Sequence, residues 1–136
     1  MFKTEFKDEN FNYKGSHVLA DFIGINGDEY EIGNFVFDLM IKAIEKTTMK
    51  IVHKHLEILN KDTPPGFTSV LLLDSSHFAS HCYSELELLS LDIFTCSSDN
   101  NTTNVMEVME FVRDELLKKF PDCKCTYIHE HKRFRY

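Results

Sequence analysis

The stretch Asp74-Ser75-Ser76-His77-Phe78-Ala79-Ser80-His81-Cys82 sets hydroxyls, imidazoles and a thiol directly after the apolar run Val70 to Leu73. These side chains are the usual sources of nucleophiles and general bases. Spacing alone leaves three readings open: a polar strand end without chemistry, a metal site, or a nucleophile with its base. His77 and His81 are four residues apart, and His53/His55 and His129/His131 add further imidazoles. A four-residue spacing aligns ligands on a helix, and no helix cap precedes this segment, so a metal is not expected here. Cys123-Lys-Cys125 would point two thiols to one face of a strand, but two sulfurs do not complete a tetrahedral site and core packing is the expected role. Cys96 ends the run Leu91-Asp92-Ile93-Phe94-Thr95. If its strand pairs with the one carrying Ser76 and His81, the three meet at one end of a sheet as nucleophile, base and acid. No Gly-rich phosphate loop, Walker pattern or GxSxG elbow is present, so catalysis would have to come from this constellation.

The elements that must position these residues follow from periodicity. Val18, Ala20 and Phe22 alternate with His17, Leu19 and Asp21 as in a strand, closed by the Gly24–Gly27 stretch. Phe35, Val36, Leu39, Met40, Ala43 and Ile44 recur at helical spacing, with Asn34 as the expected N-cap and an end near Lys46. Met49 to Leu59 reads as a second strand, and the prolines and glycine of Lys61–Gly66 as a loop, with Val70–Leu73 starting a third strand. Leu89, Leu91, Ile93 and Thr95 alternate in a further strand, and the Ser97–Asn101 cluster is a turn. Thr103 or Asn104 caps a long amphipathic helix that Pro121 stops, and Cys123 to His129 forms a closing strand. The order is β-α-β-β followed by β-β-α-β. Each element has one apolar side to bury, so the expected fold is α+β: a two-layer sandwich, mainly antiparallel, with two helices on one face. Residues 1–15, polar and without a period, are expected to form an extended arm.

At 136 residues, 43% hydrophobic and 27% charged, the chain has the size and composition of one folded domain, 1–136. A formal charge of −7 would repel a phosphate backbone, which argues against nucleic acid as a partner. No apolar run approaches the length of a membrane span, and the N-terminus lacks the apolar stretch of a secretory signal, so a cytoplasmic protein is expected. In that compartment the four cysteines are expected to be free thiols and the Asn101-Thr102-Thr103 sequon to be chance.

The sequence resembles the short, prokaryotic-type S-adenosylmethionine decarboxylases, pyruvoyl enzymes of polyamine synthesis. The resemblance runs from about Gly15 to the last strand. It rests on Gly15-Ser-His-Val-Leu-Ala-Asp-Phe-Ile-Gly24, Pro65-Gly66-Phe67-Thr68, Ser76-His77-Phe78-Ala79-Ser80-His81 with Tyr83 and Glu85 following, and Leu91-Asp-Ile-Phe-Thr-Cys96. The family shows Ser-His-x-x-x-His followed by Phe-Thr-Cys at the interval that separates His81 from Cys96.

The resemblance implies an autocatalytic maturation. Ser76 Oγ attacks the carbonyl of Ser75, the acyl group moves from nitrogen to oxygen, and β-elimination leaves a pyruvoyl group on the new N-terminus of residues 76–136. That group forms a Schiff base with the substrate amine and serves as electron sink for decarboxylation, without an exogenous cofactor. His81 matches the residue that handles the proton during elimination, Cys96 the acid that returns a proton to the decarboxylated carbon, and Thr68 a processing serine. Glu85 matches the acid that binds the ribose hydroxyls. The resemblance further implies S-adenosylmethionine as substrate, a product that donates aminopropyl groups to spermidine, and a homodimer of processed protomers. Departures are specific. Ser75 replaces the usual glutamate before the cleavage point, Tyr83 stands where the family often has Trp, and Asp62 falls near its adenine-stacking Phe, a role for which Phe67 or Leu59 is the expected substitute. An eroded adenine pocket keeps arginine or ornithine open as alternative substrates, and Ser75 keeps open an unprocessed homologue that acts by binding a partner. Cys82 has no matching role, and packing is its expected one.

Overall fold

The computed structural model describes residues 13–98 and 104–134. Six strands and two α-helices occur among them in the order β1 (Tyr13–Ile23), α1 (Glu29–Glu45), β2 (Ile51–Leu59), β3 (Gly66–Leu73), β4 (Ser76–Tyr83), β5 (Leu88–Ser98), α2 (Val105–Lys119) and β6 (Lys124–Arg133). The strands form one antiparallel sheet in the order β2-β3-β4-β5-β1-β6. Strands β2 to β5 run as a meander, because short connections favour pairing with the next strand, and β1 lies between β5 and β6. The expected α+β sandwich and the element order are found.

Side chains alternate across the sheet, so each strand has one helix-covered face and one open face. Phe78, Ser80 and Cys82 of β4 are buried beneath the helices, as are Leu89, Leu91, Ile93 and Thr95 of β5 and Val18, Ala20 and Phe22 of β1. Helix α1 contributes Ile32, Val36, Leu39, Met40, Ala43 and Ile44 to this core, and α2 contributes Val105, Val108, Met109, Val112 and Leu116. The central layer also buries two hydroxyls, Ser69 and Ser80, which hydrogen-bond to each other across β3 and β4.

Several boundaries differ from the sequence reading: β2 begins at Ile51 rather than Met49, Ser97 and Ser98, expected in a turn, end β5, and β6 runs past His129 to Arg133. Helix α1 starts one and a half turns before Asn34: Asp28 is its N-cap, accepting from Glu31 N–H at 2.8 Å, and Asn34 is a helical residue whose Nδ2 donates to Tyr30 O at 2.7 Å. The intervening Gly33 faces the sheet so closely that a Cβ would lie 2.9 Å from Ile58 Cδ1 and 3.2 Å from the Phe67 ring. Strand β3 begins at Gly66, whose backbone pairs with Tyr83 so tightly that a Cβ would meet Cys82 O at 2.0 Å. Tyr13, Lys14 and Gly15, expected in the arm, belong to β1, where pairing with Ser98 to Cys96 satisfies their backbone; the rest of that arm lies outside the described residues, as does the sequon. Asn104, accepting from Glu107 N–H at 3.2 Å, is the cap of α2.

Candidate functional site

A tight hairpin joins β3 to β4, with Asp74 and Ser75 at its tip. Two hydrogen bonds tie the tip to the start of β2: Asp74 N–H donates to Lys50 O at 3.0 Å, and Lys50 N–H donates to Asp74 Oδ1 at 3.4 Å. The next strand completes the environment. Cys96 N–H donates to the carbonyl oxygen of Ser75 at 3.4 Å, and Ser76 Oγ donates to Thr95 Oγ1 at 2.7 Å. Thr95 is 3% exposed and is held in turn near Cys96 O (3.4 Å) and Met49 Sδ (3.7 Å). The Ser75–Ser76 peptide is trans and neither residue has a positive φ. The carbonyl between the two serines is thus polarised by one N–H donor, and the hydroxyl beside it has its proton directed to Thr95, away from its own lone pairs.

Register fixes which residues share this end. Ser76 lies opposite Thr95, and Cys96, the next residue of β5, lies opposite Gly15, so only the backbones of Ser76 and Cys96 are neighbours across β4 and β5. Their side chains leave opposite faces, because Thr95 faces the helices and Cys96 is its neighbour in the strand. Cys96 is half-buried.

His81 does not join them within one chain. It lies five residues along β4, about 17 Å at the strand rise, opposite Thr68 on one side and Ser90 on the other. The expectation of a single three-residue end fails because a cross-strand pair is local, whereas Ser76 and His81 are separated along one strand. A second cluster forms at His81 instead. The Tyr83 ring stands edge-on to the imidazole, 4.6 Å between centroids, and is 50% exposed. Thr68 Oγ1 donates to Ser80 O at 3.3 Å, and exposed Glu85 sits in the single 3-10 turn Ser84–Leu86 that follows β4. Leu59 and Gly66 pair beside Tyr83, and Leu88 pairs on its other side, making an apolar row across the open face. Phe67 departs from its expected role: it is 0% exposed, in the core under Gly33, and has no ring face free for a ligand. Asp62 is in the preceding loop with φ +56°.

The remaining thiols are packing residues, as expected for Cys82 and Cys123. Burial pushes the Cys82 thiol up to about 12 and the Cys123 thiol up to about 11, and burial is also the main cause that raises Cys125. Among the other histidines, His55 Nε2 contacts Glu57 Oε2 at 2.8 Å on the exposed edge strand, and His129 and His131 lie edge to face on β6. His77 and His81 share the open face of β4 but not a site. Sequence reasoning missed Thr95. It adjoins Cys96, and only the register makes it the partner of Ser76.

The family described as S-adenosylmethionine decarboxylase matches residues 16–128. The chain is similar to an S-adenosylmethionine decarboxylase proenzyme of Clostridium botulinum (strain Hall), 28% identical over 112 residues that cover 82% of this chain and 91% of the relative. It is also similar to proteins of that name from Sulfurihydrogenibium sp. and Persephonella marina, each 29% identical over 93 residues and covering 68% of either chain.

Proposed function

Since the chain belongs to the S-adenosylmethionine decarboxylase family, we propose that it decarboxylates S-adenosylmethionine with a pyruvoyl group made from its own Ser76. The observation that carries this reading is the polarised Ser75 carbonyl beside the Ser76 hydroxyl at a hairpin tip. The residues present fit a group generated in place. Ser76 Oγ attacks the Ser75 carbonyl carbon while Cys96 N–H bears on the developing oxyanion. The C–N bond breaks, the acyl group passes to Oγ, and the amine takes a proton. Removal of the Ser76 Cα proton then expels the C-terminal carboxylate of residues 1–75, and water replaces the amine nitrogen as ammonia to leave the ketone on residues 76–136. A pyruvoyl group at this position would supply, through condensation with the substrate amine, the electron sink for loss of CO₂. Cleavage frees residue 76 from the hairpin, and in this reading its new terminus turns to the open face, where the half-buried Cys96 thiol returns a proton to the decarboxylated carbon. Ser75 needs only its backbone for this, so its departure from glutamate leaves the attack intact.

The proton-handling His81, with Thr68, Tyr83 and Glu85, comes in this reading from a second copy of the chain. Two features support a homodimer through the open sheet faces. The two clusters lie at opposite ends of β4, too far apart to serve one substrate within a protomer, and the open face carries Leu72 (45% exposed) and half-buried Phe94 beside His77, and Leu88 (37%) and Ile23 (40%) beside Tyr83. A two-fold axis through such a face sets each Ser76 end against the partner's His81 end. Co-expression of Ser76→Ala and His81→Ala chains tests this: cleavage of the His81→Ala chain only in the mixture supports the shared site, and no cleavage overturns it. We place one domain, 1–136, and the reaction, supplying the aminopropyl donor for spermidine, in the cytoplasm; the four free thiols support that, and no described helix is long and apolar enough to cross a membrane.

One observation favours a smaller amine as substrate. Phe67 is sequestered and Asp62 offers no ring, which leaves Tyr83 as the sole aromatic face among the residues expected to hold adenine. Assays of CO₂ release decide: turnover of S-adenosylmethionine supports the family substrate, and turnover of arginine or ornithine alone replaces it.

A further inference from the structure

The open face of the sheet holds a cluster that the proposed decarboxylation does not use. Strands β4, β5 and β1 are neighbours, and Phe94 of β5 lies directly between His77 of β4 and His17 of β1. Its ring fixes both imidazoles, stacked on His77 at 5.6 Å and edge-on to His17 at 5.8 Å. Two residues back along β5, Asp92 reaches the same spot. His17 Nε2 lies 3.1 Å from Asp92 Oδ1, and His77 Nε2 lies 3.9 Å from that same oxygen, beyond hydrogen-bond length. All three ligand atoms fall within 4.8 Å of one another.

We propose that His17, His77 and Asp92 bind a divalent first-row transition metal ion. Two imidazole nitrogens and one carboxylate oxygen are the donors such ions prefer, and imidazole disfavours Mg²⁺ and Ca²⁺. Donors about 2.0–2.2 Å from a shared ion lie about 3–3.5 Å apart, so small side-chain rotations close the cluster on a metal. The backbone need not move, because the three residues stand on adjacent paired strands. Side-chain exposures of 22%, 46% and 36% in the single chain leave at least one coordination position for water, an added ligand or, in the proposed dimer, a donor from the second copy.

The groups around the cluster set its affinity. Arg133 Nη1 donates to His17 Nδ1 at 3.4 Å, which puts the imidazole proton on Nε2 in the free protein. Coordination through Nε2 moves that proton to Nδ1 and turns the guanidinium away. His131, the cross-strand neighbour of His17 on β6, lies 3.4 Å from Tyr127 Oη through its own Nε2 and is not among the ligands.

The test uses the full-length chain, stripped with chelator and titrated with Co²⁺ and Zn²⁺ while Co²⁺ absorption and heat are recorded. One equivalent is expected to bind, with no response to Mg²⁺. His77→Gln and Asp92→Asn should each weaken binding by at least about tenfold while the circular dichroism spectrum is retained, and Arg133→Gln should tighten it. His129→Gln/His131→Gln should leave affinity unchanged and serves as the control for adventitious surface imidazoles. Absence of Co²⁺ binding overturns the proposal, as does binding that survives His77→Gln and Asp92→Asn or is lost with the His129/His131 pair.

Discussion

Replacing Thr95 by Val removes the acceptor for the Ser76 hydroxyl and keeps the shape of a side chain that is 3% exposed. In the native chain the 2.7 Å bond directs the proton of Ser76 to Thr95 and leaves the lone pairs of Oγ for the Ser75 carbonyl. A neutral hydrogen bond of this kind contributes about 0.5–1.5 kcal/mol net. If that is expressed wholly at the attack step, chain cleavage slows about 2- to 13-fold. Thr95→Ser keeps the oxygen and loses a buried methyl, so it should lower stability and leave the cleavage rate nearly native. The assay follows cell-free synthesis of each variant, quenched in denaturant at intervals, with whole and cleaved chains quantified by mass; urea unfolding of Ser76→Ala backgrounds reads stability separately. Cleavage of Thr95→Val at the native rate would refute the positioning role. So would a Thr95→Ser chain as slow as Thr95→Val, since packing rather than the hydroxyl would then be responsible.

Other consequences follow from burial and capping. Phe67→Ala should cost about 3–5 kcal/mol in urea unfolding, because the ring is wholly enclosed beneath Gly33; a merely ligand-facing ring would leave stability unchanged. Asp28→Ala should cost about 1 kcal/mol and lower the melting temperature, whereas Asn34→Ala should have a smaller effect, since Asp28 holds the cap. At pH 8 a thiol reagent should modify half-buried Cys96 while Cys82 stays protected, read by peptide mapping. The Cys82 thiol is raised to about 12 in the fold, above its value in the unfolded chain, so its contribution to stability is full below about pH 9 and declines as pH rises towards 12. Melting temperatures from pH 8 to 11 should therefore fall less steeply for Cys82→Ala than for the native chain.

The layers and element order were legible because alternation and helical spacing are local signals, present in Val18-Leu19-Ala20 and in Val36-Leu39-Met40-Ala43 alike. The start of α1 was not. Gly33-Asn34 has the composition of a helix boundary, and only the close approach of Ile58 and Phe67 explains a glycine within the helix. The site divides in the same way. The pairing of β4 with β5 makes Ser76 and Cys96 backbone neighbours but sends their side chains to opposite faces, and His81 lies five residues along the strand that carries Ser76. Phe67 has the residue type of a stacking partner, and its burial depends on the parity of β3, which a loop ending at Gly66 leaves unset. Thr95 and the His17–Asp92–His77 cluster needed the order β4-β5-β1, information held in long-range pairing rather than in spacing.

The most direct test of self-processing at Ser76 is a denaturing intact-mass spectrum of freshly purified protein. Two chains, residues 1–75 and 76–136, are expected, the second beginning with a ketone that reacts with a hydrazide, while under native conditions β3·β4 and β1·β5 pairing keeps them together. A single chain of 136 residues that persists on long incubation would contradict it.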